Sequence, residues 1–165
     1  MSISITPIGI IETPFDDLKG MPIQPSGADK IQGTIIIDKE YEEGLSDLEG
    51  FSHIILLYHF HKSKGYNLMV KPFMDDQQRG LFSTRAPRRP NPIGLSIVRL
   101  IKIEGKRVTI EGIDVLNGTP LIDIKPYVPR FDIKDVTAVG WLENRQEQVA
   151  SSKSDGRFIL GQQQD

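Results

Sequence analysis

The stretch RVTIEGIDVLNGTPLIDIK, Arg107 to Lys125, decides the fold. Two runs rich in β-formers flank Asn117-Gly118, and Asn-Gly between β runs is the strongest short hairpin signal because both central residues of a type I′ turn need positive φ. The spacing predicts a two-residue hairpin with Leu116 opposite Thr119, Val115 opposite Pro120, Asp114 opposite Leu121, Ile113 opposite Ile122 and Gly112 opposite Asp123. Facing residues share a side of a sheet. Val115, Ile113 and Ile122 are thereby expected in the core, with Asp114 and Asp123 together on the other side. Upstream the phase changes, since Val108 and Ile110 are even and Ile113 and Val115 odd, which predicts a bulge near Gly112.

Working outward, Ile93 to Glu104 precedes this pair across a Gly105-Lys106 turn, and Ser2 to Ile11, Ile31 to Ile37 and His53 to His61 are further isoleucine-rich runs of strand length. Between the first two of these, TPFDDLKGMPIQPSG carries three prolines and two glycines and is a long ordered loop. Lys39 to Glu49 is an acidic connector with room for one or two helical turns. A last strand is expected around Arg157 to Leu160, followed by a frayed end. Many short strands at hairpin spacing with little helix predict an all-β fold with short helices, a small antiparallel β-barrel. Residues 1–140 form the barrel domain, and 141–165 a short extension that is part of it or partly frayed.

With 165 residues, 38 % of them hydrophobic, the chain fits one domain with one core. No apolar run approaches the roughly 20 residues of a membrane span, and the N-terminus lacks a charged head followed by an apolar block, so a soluble protein with no membrane partner is expected. The absence of cysteine excludes disulfides, thiol nucleophiles and cysteine-ligated metals, and fits a reducing cytoplasm. At a net charge of -2, a polyanion has to be bound by a local patch. One exists: Arg79, Arg85, Arg88, Arg89, Arg99 and Lys102 lie between Asp76 and Glu104 with no acid among them. Within it, STRAPRRPNPIGLS (83–96) presents three arginines among three prolines. Each proline fixes its own φ and extends the residue before it, so the guanidinium forks are held ready for phosphate, carboxylate or a stacked base. By composition alone, an anion or nucleic-acid site and a structural loop with paired arginines both remain open.

The familiar nucleotide and nucleophile signatures, G-x-G-x-x-G, G-x-x-x-x-G-K-[ST] and G-x-S-x-G, are absent. His53, His59 and His61 lack a clustered further ligand, so no metal is expected and local hydrogen bonding is the simpler role; His61 is placed to line a pocket mouth. Asp114 and Asp123, with Lys125 beyond, are candidates to hold a ribose hydroxyl or an amine, or to accept a proton, against the alternative of a solvated face.

The blocks FSHIILLYHFH, GLFSTRAPRRPNPIGLS and DVLNGTPLIDIKPYVP, with IGIIETPF and PIQP upstream, closely resemble the TsaA-like family, also called TrmO or YaeB-like, from about Ile8 to Pro129. The resemblance implies a small dimeric β-barrel that binds S-adenosylmethionine outside the common methyltransferase fold. It implies methylation of N6 of N6-threonylcarbamoyladenosine at position 37 of tRNA, in the anticodon loop. It also implies cofactor contacts at Pro22, Ile23 and Gln24, at His61 and Lys62, at Arg85, at Leu95, and at Asp114, Val115 and Leu116. Arg88, Arg89 and Asn91 are then expected toward the RNA. Asp123, Lys125 and Tyr127 are expected to orient the base, with Asp123 or a bound water taking the N6 proton. Where the family often reads DGTP this chain has Asn117, which excludes an acid there. Bacterial members carry a further C-terminal domain that this chain lacks, so the same barrel acting on another tRNA nucleoside or a small molecule, or a non-catalytic tRNA- or nucleotide-binding module, are the alternatives.

Overall fold

The computed structural model describes residues 2–17, 30–72 and 75–143. Eight strands are present among them: β1 Gly9–Glu12, β2 Gln32–Ile37, β3 His53–His59, β4 Met69–Val70, β5 Arg79–Gly80, β6 Ile93–Glu104, β7 Arg107–Glu111 and β8 Thr119–Pro126. Six close into a barrel in the order β1-β2-β7-β6-β3-β8, and β4 and β5 form a separate two-stranded flap. Every neighbouring pair in the barrel is antiparallel.

Closure depends on β6. Its first half pairs with β3, from Ile93 against His59 to Arg99 against His53, and its second half with β7. The register slips between Leu100 and Lys102, leaving Ile101 as an extra residue, and such a bulge bends the strand enough to turn the sheet back on itself. Alternation fills the interior: Ile54, Leu56 and Tyr58 of β3, Val98 and Leu100 of β6, Val108 and Ile110 of β7, Ile35 and Ile37 of β2, with Ile11 and Leu121. Ile113 and Val115 complete this core from the segment after β7.

The connector folds as two 3-10 turns, Lys39–Leu45 and Leu48–Gly50, anchored by the buried Leu45. One α-helical turn, α1 Pro129–Asp132, follows β8. The N-terminal strand is shorter than its composition predicts: residues 2–8 lie outside any strand, and Ile3 and Ile5 are exposed, because β2 offers partners only from Ile37 to Thr34. The expected strand around Arg157 to Leu160 lies outside the described residues.

The predicted hairpin does not form. β7 and β8 are not neighbours; β7 ends at Glu111, and β8 pairs with β1 and β3. Gly118 alone has positive φ (74°), so Asn117-Gly118 makes a turn with the left-handed residue second, closed by Thr119 N–H on Leu116 C=O at 3.2 Å. Asn117 is bound instead to the loop after β1. Its N–H reaches Phe15 C=O at 2.7 Å, its amide donates to Asp16 at 3.0 Å, and its side-chain oxygen accepts Thr13 N–H at 3.2 Å. At Gly112 (φ 88°) the chain leaves the sheet, which accounts for the change of phase without a bulge there.

Candidate functional site

Residues 112–118 run across the end of the barrel where β6 begins, and this position decides what Asp114 does. Strand β6 alternates Gly94, Ser96, Val98 and Leu100 inward, so one serine occupies a core position, and β3 places Tyr58 inward beside it. Ser96 Oγ donates to Asp114 Oδ1 at 3.0 Å, and Tyr58 OH lies 2.9 Å from the same Oγ. With the serine proton given to the carboxylate, the phenol is the donor, and the three groups form one directed chain. Among the described residues, no buried side-chain nitrogen or oxygen lacks a partner.

Burial pushes the Asp114 carboxyl up to about 6, against the Ser96 hydrogen bond, a main-chain hydrogen bond and the nearby Arg85 guanidinium, which all pull it down. The Tyr58 phenol is raised far above its usual range by burial and by the Asp114 charge. The Arg85 charge, on the loop between β5 and β6, acts on both groups. The backbone allows this packing because Gly94 has no side chain: a Cβ there would overlap the Tyr58 ring and come within 2.8 Å of Phe60.

Around this centre the expected cofactor residues fall unevenly. His61 and Lys62 form the turn after β3, where burial, then the Lys62 and His59 charges, lower the His61 pKa, and a hydrogen bond to the His59 main chain opposes them. Val115 points into the core, so only its main chain is available, and its carbonyl already accepts Thr13 Oγ1 at 2.8 Å. Leu116 is half-buried next to Asn117. Leu95 points outward from β6. Pro22, Ile23 and Gln24 lie outside the described residues.

The arginine loop is ordered partly by its own cations. Arg89 Nη1 donates to the carbonyls of Thr84 (2.9 Å), Ala86 (3.3 Å) and Leu81 (3.4 Å), and its guanidinium lies 5.7 Å from the Phe82 ring centre. Arg88 Nε donates to Lys64 C=O at 2.9 Å. Asn91 is exposed at the turn into β6, its carbonyl accepting Ile93 N–H. Trp141, in the extension, donates its indole N–H to Ser83 C=O at 2.8 Å, with Arg79 stacked 5.6 Å from its ring centre.

Asp123, Lys125 and Tyr127 are not beside Asp114. Leu121 faces Tyr58 and Asp123 faces Leu57, so Ile122 is an extra, bulged residue that leaves the core it was expected to join. Asp123 and Lys125 are turned to the outer wall, where they pair at 2.7 Å, and Tyr127 stands at the far end of β8 with its ring edge toward His53. Two carboxylates expected on one side of a sheet are therefore on opposite sides of the barrel wall. The same outer wall is apolar: Ile93, Leu95 and Ile97 of β6 are exposed, with Leu57 opposite Leu95 and Ile55 opposite Ile97. Strand β6 thus carries apolar side chains on both faces.

His53 is bonded to Ser52 Oγ at 3.0 Å, and among the described residues no three His, Asp or Glu side chains cluster as a metal site. No helix of the described residues is long and apolar enough to cross a membrane. Tyr58 and Ser96 were missed in the sequence, and the signal was available: each is a polar residue in phase with the core positions of an alternating strand.

A largely enclosed carboxylate with an arginine charge nearby suits a ligand that brings both a cation or hydroxyls and an anion, as the sulfonium, ribose and carboxylate of S-adenosylmethionine do. Residues 10–133 match the family described as the tRNA-methyltransferase O N-terminal domain. A probable S-adenosyl-L-methionine-binding protein of Pyrococcus abyssi is 50 % identical over 159 residues, covering 96 % of this chain and 86 % of that one. The rat tRNA (adenine(37)-N6)-methyltransferase is 41 % identical over 133 residues, which span 76 % of this chain and 31 % of that enzyme. The crystal structure of TrmO from Pseudomonas aeruginosa superposes with a TM-score of 0.72 at 38 % identity, covering 86 % of this chain and 63 % of that one.

Proposed function

Because this chain belongs to the family of the tRNA-methyltransferase O N-terminal domain, we propose that it binds S-adenosylmethionine at the Asp114–Arg85 end of the barrel and methylates N6 of N6-threonylcarbamoyladenosine at tRNA position 37. The observation that carries the cofactor part is the Tyr58–Ser96–Asp114 chain: a carboxylate held against its own burial, with Arg85 beside it. When bound, the cofactor supplies a methyl group on a sulfonium.

The protein's task is alignment and exclusion of water, since an in-line displacement needs no covalent intermediate. Asp114 would accept from the cofactor's hydroxyls or ammonium and Arg85 would pair with its carboxylate. Pro22, Ile23, Gln24, His61, Lys62 and Leu95 would hold it from the sides, with Val115 and Leu116 contributing main chain. Arg88, Arg89 and Asn91 take the RNA side. The N6 proton leaves to Asp123 or a water, with Lys125 and Tyr127 orienting the base.

Those last three residues are on the outer wall, so the reading requires a base that enters between two protomers, and the chain acts as a homodimer. The apolar outer face of β3 and β6 supports that requirement, since burying such a face is what drives stable association. A tRNA substrate implies a cytoplasmic enzyme.

The test is nucleoside mass spectrometry of tRNA carrying the threonylcarbamoyl modification, after incubation with purified protein and S-adenosylmethionine. A methylated product confirms the reading. A thermal shift with the cofactor but no product leaves a binding protein or another substrate, and the absence of both removes the assignment.

A further inference from the structure

The flap and the arginine loop share a surface that the cofactor site does not use. Phe82 is 74 % exposed, the most open aromatic side chain in a region where Tyr66 (50 %), Leu68 (60 %) and Met69 (52 %) are also open to solvent. The segments are joined directly: Leu81 N–H donates to Leu68 C=O at 2.8 Å, Met69 pairs with Gly80, and the Arg88 head rests against Gly65, next to Tyr66. An open aromatic ring is ordinarily costly, and this one is oriented rather than loose. Arg89, tied to three carbonyls of its own loop, sets its guanidinium 5.7 Å from the ring centre.

The charge around the ring has one sign. Residues 61–72 and 77–103 contain no Asp or Glu. The acids between them are already engaged, Asp75 with Arg79 at 2.7 Å and Asp76 with Lys71 at 3.6 Å. Lys62, Lys64, Arg88 and Arg89 make no ion pair among the described residues. Exposed rings set among uncompensated cations suit a single-stranded polyanion that offers flat bases, and a paired helix would hide those bases.

We propose that this surface is a stacking platform for unpaired bases of an RNA loop, with Phe82 as the stacking ring, Tyr66 as a second contact and Lys64 and Arg88 tracking the phosphates. Arg89 is a positioning residue that holds the Phe82 ring. This rests on the tRNA reading and names the surface that grips the loop while the target base enters the site.

The test is fluorescence anisotropy of the full chain with a labelled anticodon stem-loop and, separately, a fully paired duplex of the same stem. Phe82→Ala should weaken loop binding by about 5- to 150-fold, the range for one lost base stack, and leave duplex binding and the salt dependence unchanged. Phe82→Trp should bind the loop as well as the unsubstituted protein, and Lys64→Ala should lower the salt slope by about one unit. Tyr66→Ala, on the other side of the flap turn, provides a second variant if Phe82→Ala is unstable. Unchanged loop affinity in both alanine variants overturns the platform while leaving the tRNA reading intact. Loss of self-association in place of RNA affinity also overturns it, since the surface then belongs to a second copy of the chain. An unsubstituted protein that binds neither RNA defeats both proposals.

Discussion

Replacing Asp114 by Asn tests whether the site holds a carboxylate against the fold's own preference. Burial moves this group from 3.8 to about 6. Between those values the folded protein holds more protons than the unfolded chain, so stability falls as pH rises across the window and levels off above it. A displacement of this size corresponds to about 3 kcal/mol lost by about pH 8, and about half of that at about pH 5. The Asn variant has no such slope. Whatever fixed offset its amide introduces, the stability difference between variant and parent should move in the variant's favour from about pH 5 to about pH 8. Urea denaturation at the two pH values reads this directly, and isothermal titration with S-adenosylmethionine at the higher value should show cofactor affinity sharply reduced. In the unsubstituted protein that affinity should weaken as pH falls through about 6, because only the ionised form accepts from the ligand. A stability difference that does not change with pH would refute the reasoning, since the carboxylate would then not be strained by burial.

Gly94→Ala should cost about 1–3 kcal/mol of stability by overpacking and should weaken cofactor binding as well, because the added methyl displaces Tyr58 and breaks its bond to Ser96; thermal denaturation with and without cofactor separates the effects. Ile97→Lys, on the outer face of β6, should shift the protein to monomer in sedimentation velocity without lowering monomer stability by more than about 0.5 kcal/mol, since the side chain is already open. Arg89→Ala should lower the melting temperature more than Arg88→Ala does, because the Thr84 and Ala86 carbonyls lose the arginine donor in the first case, Leu81 keeping its bonds from Thr84, and the Lys64 carbonyl alone loses it in the second; differential scanning calorimetry of the pair decides it.

The sequence disclosed the barrel's strands better than their connections. Strand β6 matched its predicted span from Ile93 to Glu104, and β8 was one residue longer than expected, because alternation and Gly105 mark these limits locally. The Asn117-Gly118 pair misled, since a side chain that binds Thr13 and Asp16 outcompetes the hairpin, and those partners are about a hundred positions away. That one error placed Asp114 and Asp123 together. Asp114 was legible as a candidate, but its partners Ser96 and Tyr58 became visible only once β3 and β6 were paired, although both break an otherwise apolar phase. The prolines mark the arginine loop in the sequence, while the split between Arg89, which bonds to its own loop, and Arg88, which reaches Lys64, depends on three-dimensional carbonyl positions.

The way Arg89 is used affects how a genetic screen of this protein would be interpreted. A residue that closes its own loop and also backs an exposed ring cannot be altered for one purpose alone. Changes at position 89 would surface first as lowered abundance in cells, and a screen scored on the proposed tRNA modification would count them as loss of activity. Variants at Phe82, whose ring is largely open to solvent, would separate the two phenotypes, and a protein-level measurement beside the modification assay would show which residue belongs to which class.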